Sequence, residues 1–273
     1  MQDELGGNTW HTMSDSGNHG NEDCIDAGAE EVAFGYTLVS ASEKRGLVSS
    51  QFDPIAHRYD LADALLSFGL HLRWKRWGID QLALREGERV LDVCGGTGDL
   101  AALAAAQIAP LGCAYVYDIN RPMMKAGRAK VQRSRLAKRV LLVEGDAEAL
   151  SFPDSVFDVI TVGFGIRNLV RLDAGLSEMH RVLKPGGRLM ILEFSLPAHG
   201  WMHRLYNFYL FKVMPLGASV ICGTGRPFRY LAESIRVFDP PERVAERLRN
   251  AGFADVRLRR RTSGVAVVYL ARR

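Results

Sequence analysis

Basic residues are missing from the start of this chain: the first Lys or Arg among its 273 residues is Lys44. A positively charged leader followed by an apolar stretch is therefore not there, which argues against a secretory signal. Cysteine is sparse, and Cys24, Cys94, Cys113 and Cys222 are scattered without a C-x-x-C pair. That spacing speaks against a disulfide scaffold or a zinc site and fits a reducing cytosol. Long apolar runs are lacking too. A membrane span needs roughly 20 mostly apolar residues, and the nearest stretch, Leu205 to Cys222, is interrupted by Asn207, Lys212 and Pro215. These absences lead us to expect a soluble, cytoplasmic protein.

What is present is unevenly charged. The whole chain is formally +4, yet residues 1–32 hold eight acids: Asp3, Glu4, Asp15, Glu22, Asp23, Asp26, Glu30 and Glu31. Removing that −8 leaves residues 33–273 at +12. The segment 1–32 is rich in Gly, Asn, Ser and acids with no apolar period. It cannot bury enough surface to offset its ordering entropy, so a disordered acidic tail is expected. His11, His19 and Cys24 within it read as solvated side chains rather than metal ligands. One domain is expected over 33–273, with a helical substrate-side segment at 33–80 and an apolar insertion or lid at 196–238.

Short runs rich in Val, Ile and Tyr recur at 88–93, 113–119, 139–144, 157–164 and 187–194. They alternate with helical stretches at 99–109, 121–137 and 171–183, the last stopped by Lys184-Pro185-Gly186-Gly187. Such alternation implies a mostly parallel sheet with right-handed crossovers. A further helix is expected at 239–251, then strands at 254–261 and 264–271 that form a C-terminal antiparallel hairpin.

The first strand runs into Asp92-Val93-Cys94-Gly95-Gly96-Thr97-Gly98-Asp99. Glycines at a strand-to-helix turn let the backbone approach a ligand, and the helix start offers free N–H groups. The loose dinucleotide fingerprint is satisfied here, but it is weak by itself. The charges decide. Asp92 and Asp99 would repel a pyrophosphate and attract the ammonium and sulfonium of S-adenosylmethionine. Asp118, followed by Ile119, ends the second strand where a ribose-binding carboxylate is expected, and Glu144-Gly145-Asp146-Ala147 ends the third, suited to an adenine edge. The cofactor-binding set read from the sequence is thus Asp92, Gly95, Gly96, Thr97, Gly98, Asp118, Ile119, Asp146, Ala147 and Gly163.

Several motifs in order resemble the ubiquinone/menaquinone biosynthesis C-methyltransferases (UbiE-type) over about residues 33–273. They include Phe34-Gly35-Tyr36, Glu43-Lys44, Arg58-Tyr59-Asp60, His71-Leu72-Arg73-Trp74-Lys75 and the glycine loop. The more specific ones are Phe164-Gly165-Ile166-Arg167-Asn168, Glu193-Phe194-Ser195 and Tyr230-Leu231-Ala232-Glu233-Ser234-Ile235. The resemblance implies a class I S-adenosylmethionine-dependent methyltransferase fold and methyl transfer to a ring carbon of a prenylated quinol. In that family Thr97, Asp118, Asp146 and Ala147 match cofactor-contacting positions. Two departures stand out. Tyr59-Asp60-Leu61-Ala62-Asp63 lacks the family's Met and Asn, and Gly163 stands where a cofactor-side Ser is usual.

Arg167 and Asn168 end the fourth strand, beside the expected methyl. A guanidinium is no base at neutral pH, so Arg167 is assigned to stabilising a quinolate oxygen and Asn168 to orienting the ring hydroxyl. Tyr59 and His71 are expected to line the substrate pocket. Glu193 points either into the cleft or into the core. His199 and His203 have helical spacing but no third ligand nearby, so no metal site is expected. The segment 201–222 is nearly apolar all round, so it covers a greasy substrate, meets a second copy in a homodimer, or packs as core. Docking on a membrane surface, at the inner face, would use the same segment and the basic body. Arg257, Arg259, Arg260 and Arg261 read as a solvated edge.

Rival functions differ in what they would need. A nucleic-acid methyltransferase would carry a base-gripping motif where Phe164-Gly165-Ile166-Arg167-Asn168 stands, so no nucleic-acid partner is expected. An NAD-dependent oxidoreductase conflicts with the carboxylates around the loop. A small-molecule O-methyltransferase, or a non-catalytic cofactor-binding subunit of a quinone-synthesising assembly, would share the cofactor half.

Overall fold

The computed structural model describes residues 31–132, 136, 138–197 and 200–273. The acidic tail, with His11, His19 and Cys24, lies outside the described residues except for Glu31 and Val32, and so does His199. Those two tail residues begin a strand. β1 (Glu31–Phe34) pairs antiparallel with β2 (Thr37–Ser40) across a turn where Gly35 has φ +58°. Composition missed this hairpin because each strand is only four residues long and half exposed.

A helical cap follows. α1 (Ala41–Phe52) starts at a capping box, in which the Ser40 hydroxyl accepts from the Glu43 N–H and the Glu43 carboxylate accepts from the Ser40 N–H. This satisfies two donors that a helix start otherwise leaves open. α2 (Tyr59–Leu66) and α3 (Leu70–Gln81) complete the cap, with Gly69 at φ +70° turning the chain between them.

The sheet has seven strands, β3 (Arg89–Val93), β4 (Cys113–Asp118), β5 (Val140–Glu144), β6 (Phe157–Gly163), β7 (Leu183–Phe194), β8 (Ala254–Arg261) and β9 (Ala266–Arg272). Their spatial order is β5-β4-β3-β6-β7-β9-β8, parallel except where β9 inserts antiparallel between β7 and β8. α4 (Asp99–Ile108), α5 (Arg121–Gln132), α6 (Leu172–Val182) and α10 (Pro241–Asn250) cover the sheet. This is the mostly parallel sheet with a C-terminal antiparallel hairpin expected from the pattern. One boundary differs: Lys184-Pro185-Gly186-Gly187 does end α6, but β7 begins at once at Leu183 and runs through these residues, with Gly186 and Gly187 bonding to Arg273.

The strands read as continuous apolar runs because both faces are buried. Leu91, Val93, Ile160 and Ile191 enter one apolar cluster, and their neighbours Val90, Val159, Met190 and Leu192 enter the other. A third, smaller cluster joins the cap to the apolar insertion through Ile55, Ala62, Leu210, Met214, Ala218 and Phe228. The insertion is one long helical rod, α7 (Gly200–Phe208), a π turn (Tyr209–Val213) and α8 (Met214–Cys222), followed by α9 (Arg226–Val237).

Candidate active site

The chain order reverses between β3 and β6, which opens a crevice at the C-terminal strand ends, the usual ligand position in such sheets. A cleft of about 1130 Å³ lies there. Its floor is the loop after β3. Cys94 and Gly96 both take φ +53°, and Gly98 takes +79°, so the loop coils tightly before α4. A Cβ on Gly95 would sit 2.9 Å from Val116 Cγ1, and one on Gly165 would sit 2.4 Å from Cys94 Cβ. Only glycine lets these segments approach so closely.

The cleft brings together Asp92, Gly95, Gly96, Thr97, Asp118, Ile119, Asp146, Ala147 and Gly163 with Tyr59, Arg167 and Asn168. Gly98 and His71 are not among its lining residues. Gly98 turns the chain into α4, and His71 is buried on α3, where Nδ1 meets the Ser67 hydroxyl at 2.6 Å and Nε2 lies 3.6 Å from Asp63. Burial holds the His71 imidazole below its ordinary pKa, so it is neutral at pH 7. Glu144, expected at an adenine edge, turns outward and pairs with Arg121 at 2.7 Å.

The charge argument made from Asp92 and Asp99 needs correcting. Asp92 is buried at the cleft floor and accepts from the Thr161 hydroxyl at 2.8 Å and the Ala101 N–H at 3.1 Å, which braces the loop. Burial pushes its carboxyl up to about 7 against the lowering effect of those two bonds. Asp99 is held by Lys75 at 2.8 Å and by Lys130. Despite its burial, these lysines keep its carboxyl well below the usual range. Sequence alone could not see either partner, because Lys75 and Lys130 arrive from α3 and α5.

The lining still suits a cationic cofactor. With Asp92 and Asp99 committed to partners within the protein, its remaining carboxylates are Asp118, Asp146 and Glu148. Asp118 accepts from the Gly96 N–H at 2.8 Å and the Asn120 N–H at 2.7 Å. A carboxylate has about four acceptor positions, so room remains for a ribose diol. A Cβ on Gly96 would come 4.0 Å from the same carboxylate and 3.4 Å from Met123 Cε, filling the cradle. These features fit S-adenosylmethionine. Gly163 fits as well: a Cβ there would lie 2.8 Å from Leu100 Cδ1, so the leucine occupies the space next to the missing side chain.

Polar contacts that the sequence did not suggest tie the cap to this rim. Thr97 donates its hydroxyl to Asp60 at 2.6 Å, Lys130 reaches Asp60 at 2.8 Å, and Asn120 donates to Asp53 at 2.7 Å. Arg45 lies 2.9 Å from Asp146. Asp60 stood in the Arg58-Tyr59-Asp60 motif, the one signal that could have found it.

At the far end of the cleft Arg167 is fully enclosed. Its side chain is 3% exposed and pairs with Glu193, 1% exposed, at 2.7 Å. Nη1 also donates to the Phe164 carbonyl, while the buried Nε has no partner. Glu193 is thus a core carboxylate that holds the guanidinium. Tyr59, Tyr206 and Tyr230 lie within electrostatic reach of Arg167, and burial raises each phenol, Tyr230 to about 12. Asn168 accepts from the Tyr230 hydroxyl at 3.1 Å. Among the described residues no group of three His, Cys, Asp or Glu side chains could hold a metal, and His203 instead meets the Pro197 carbonyl at 3.0 Å.

Residues 38–273 match the model of the ubiE/COQ5 methyltransferase family. The chain is 40% identical over 244 residues to the ubiquinone/menaquinone biosynthesis C-methyltransferase UbiE of Shewanella pealeana, covering 89% of this chain and 97% of that protein. The same figures hold for the UbiE of Idiomarina loihiensis. Among solved structures, an S-adenosylmethionine-dependent methyltransferase of Aquifex aeolicus superposes with a TM-score of 0.52 at 19% identity, over 86% of this chain and 98% of its own. A putative S-adenosyl-L-methionine-dependent methyltransferase of Methanococcus maripaludis reaches 0.56 at 15% identity, over 84% and 92%. At such identities the superpositions speak for the fold.

Proposed function

The chain belongs to the ubiE/COQ5 methyltransferase family, and we propose that it transfers a methyl group from S-adenosylmethionine to a ring carbon of a prenylated quinol. The observation that carries this reading is the juxtaposition in one cleft of the acid-lined glycine cradle with the enclosed Arg167–Asn168 pair. The named relatives act in ubiquinone and menaquinone biosynthesis, which makes a demethylmenaquinol, the equivalent ubiquinone precursor, or both, the substrate class.

When bound, S-adenosylmethionine supplies a methyl already activated on a sulfonium. The protein then has to position the acceptor and steady the charge that forms on it. A quinol ring carbon becomes nucleophilic as a hydroxyl loses its proton. Arg167 favours that loss, because its guanidinium stays charged and its Nε lacks a partner that a quinolate oxygen would supply. Asn168 is held by Tyr230 through Oδ1, which leaves its amide N–H groups to orient the hydroxyl. Tyr59, kept as a neutral phenol by burial and by Asp63, forms the wall facing them. A prenylated quinol is a membrane lipid, so the enzyme meets its substrate at a membrane surface.

Purified protein, S-adenosylmethionine and a demethylated quinol, followed by mass spectrometry, test the reading. A mass gain of one methyl on the ring is the expected result. No gain on any reduced quinone rejects it.

A further inference from the structure

The rod Gly200–Cys222 is, among the described residues, long and apolar enough to cross a bilayer by length and composition. Its packing says otherwise. Leu210, Met214 and Ala218 are buried in the third apolar cluster, so one side of the rod is committed to the protein. The other side is bare: Trp201 is 71% exposed, Val220 is 83% exposed, and Leu205, Phe208 and Leu216 lie open between them.

The π turn is what aligns them. At ~100° per residue, an uninterrupted α-helix carrying Trp201, Leu205 and Phe208 outward would rotate Val220 about a quarter-turn away. The extra residue of the π turn at Tyr209–Val213 takes up that drift. Leu216 and Val220 thereby return to the line of Trp201, while Met214 and Ala218 stay opposite. The apolar strip also continues sideways. Tyr209 bonds to the Leu66 carbonyl and its ring lies 6.2 Å from that of Phe68, and Arg58 donates to the Ile221 carbonyl at 3.0 Å. Leu61, Leu65 and Phe68 of the cap, all exposed, therefore extend the same face.

We propose that this face, the outer side of α7–α8 together with the exposed edge of α2, docks on an anionic lipid bilayer and lies in its interface. The proposal rests on the reading of the substrate as a prenylated quinol. Charge selects the lipid as occupant. Residues 200–222 contain no Asp or Glu, and the exposed cations Arg204, Lys212 and Arg58 flank the strip. Their long stems let the charged ends reach headgroups while the apolar strip enters the acyl boundary. A second copy is the poorer fit, because a two-fold contact sets the same patch against itself and would bring these cations face to face. An anionic leaflet attracts them instead.

Flotation of the full chain with vesicles of phosphatidylcholine plus phosphatidylglycerol, against phosphatidylcholine alone, tests the proposal. The native protein is expected to float with the anionic vesicles at low salt and to be released as salt rises. The double variant L216D/V220D, altered only at open surface positions, is expected to lose at least tenfold of the bound fraction. A blue shift of tryptophan emission on vesicle addition is expected to vanish in W201F. Methyl transfer to a short-tailed, water-dispersed quinol is expected to be unchanged in L216D/V220D, while transfer to a long-tailed quinol in vesicles falls about tenfold. Equal flotation of native and variant protein overturns the proposal, as does no native binding at low salt. A dimer in sedimentation equilibrium that dissolves in L216D/V220D, without vesicle binding, overturns it in favour of a copy-to-copy contact. Loss of transfer to every quinol by native protein would reject the functional reading and leave the flotation result to stand on its own.

Discussion

The two walls of the cleft are made of different materials. The sheet-side wall is backbone, glycine and fully buried apolar side chains, with Asp118 and Asp92 gripped by N–H and hydroxyl groups. The cap-side wall is attached to it through side chains: Thr97 to Asp60, Lys130 to Asp60, Asn120 to Asp53 and Arg45 to Asp146. Close packing makes the first wall rigid. Lys130–Asp60 and Arg45–Asp146 join partly exposed charges, and such pairs are weaker and salt-sensitive. The cofactor floor and α3 are therefore fixed by packing, whereas the rim of the cap at Asp60 and Arg45 is held in part by exposed charge.

The largest effect is expected where the two walls meet, at Arg167. Arg167→Ala leaves Glu193 buried and unpaired, and breaking such a pair costs roughly 3–5 kcal/mol, measured by urea unfolding. The double variant R167M/E193Q removes both charges and should recover most of that stability. Its turnover should nevertheless stay down by about 10²–10³-fold, the usual range for a lost charge-stabilising group. Recovery of turnover along with stability would make Arg167 a structural residue only.

A second test isolates the rigid wall. The Asp92 carboxyl is raised by burial to about 7 from 3.8. The native state therefore holds its proton more tightly than the unfolded chain between those values. That contribution is present in full below the unfolded pKa and is lost as pH rises through about 7. Asp92→Asn mimics the protonated form. Its stability relative to the native chain should rise across pH 4–7 by an amount on the order of a few kcal/mol, read from thermal unfolding at a series of pH values. A pH-independent difference would remove Asp92 as the cause.

The charge-held rim of the cap is probed at Asp60. Asp60→Asn weakens its bonds to Thr97 and Lys130, and Thr97→Val removes the first outright. Each is expected to raise the dissociation constant for S-adenosylmethionine by several-fold to about tenfold, the worth of a hydrogen bond to a charged group, seen by calorimetry. High salt should narrow the gap between native protein and D60N. The smallest effect is expected at Gly163→Ser, where Leu100 must yield by rotating its Cδ1. A loss of about 1 kcal/mol in stability, with turnover retained, is the expected outcome.

The same contrast explains what the sequence disclosed. The sheet was legible because Val90, Leu91 and Val93, and their counterparts on the other parallel strands, form short apolar runs that only a doubly covered sheet would use. The glycine loop was legible because its geometry is local. The cap latch was not, because Asp60 and Thr97 stand 37 residues apart and nothing in either neighbourhood announces the other. Asp99 was misread for the same reason: a carboxylate beside a glycine loop looks available until Lys75 and Lys130 are folded against it. Glu193 had two readings, and the guanidinium 26 residues away decided between them. Long-range partners, rather than residue type, set the roles of these charges.

The π turn at Tyr209–Val213 gives the insertion an unusual tolerance rule. In most helices a one-residue deletion rotates everything downstream and ruins its packing. Here the native rod already contains the surplus residue, so deleting one position inside the turn would return the rod to a single helical register, with Pro215 still withholding one N–H. Met214 and Ala218 would stay on the cap side and Leu216 and Val220 outside, because the residue removed is the one the turn had absorbed. One residue can thus be lost at this place without turning the buried side of α8 out of the cluster it fills.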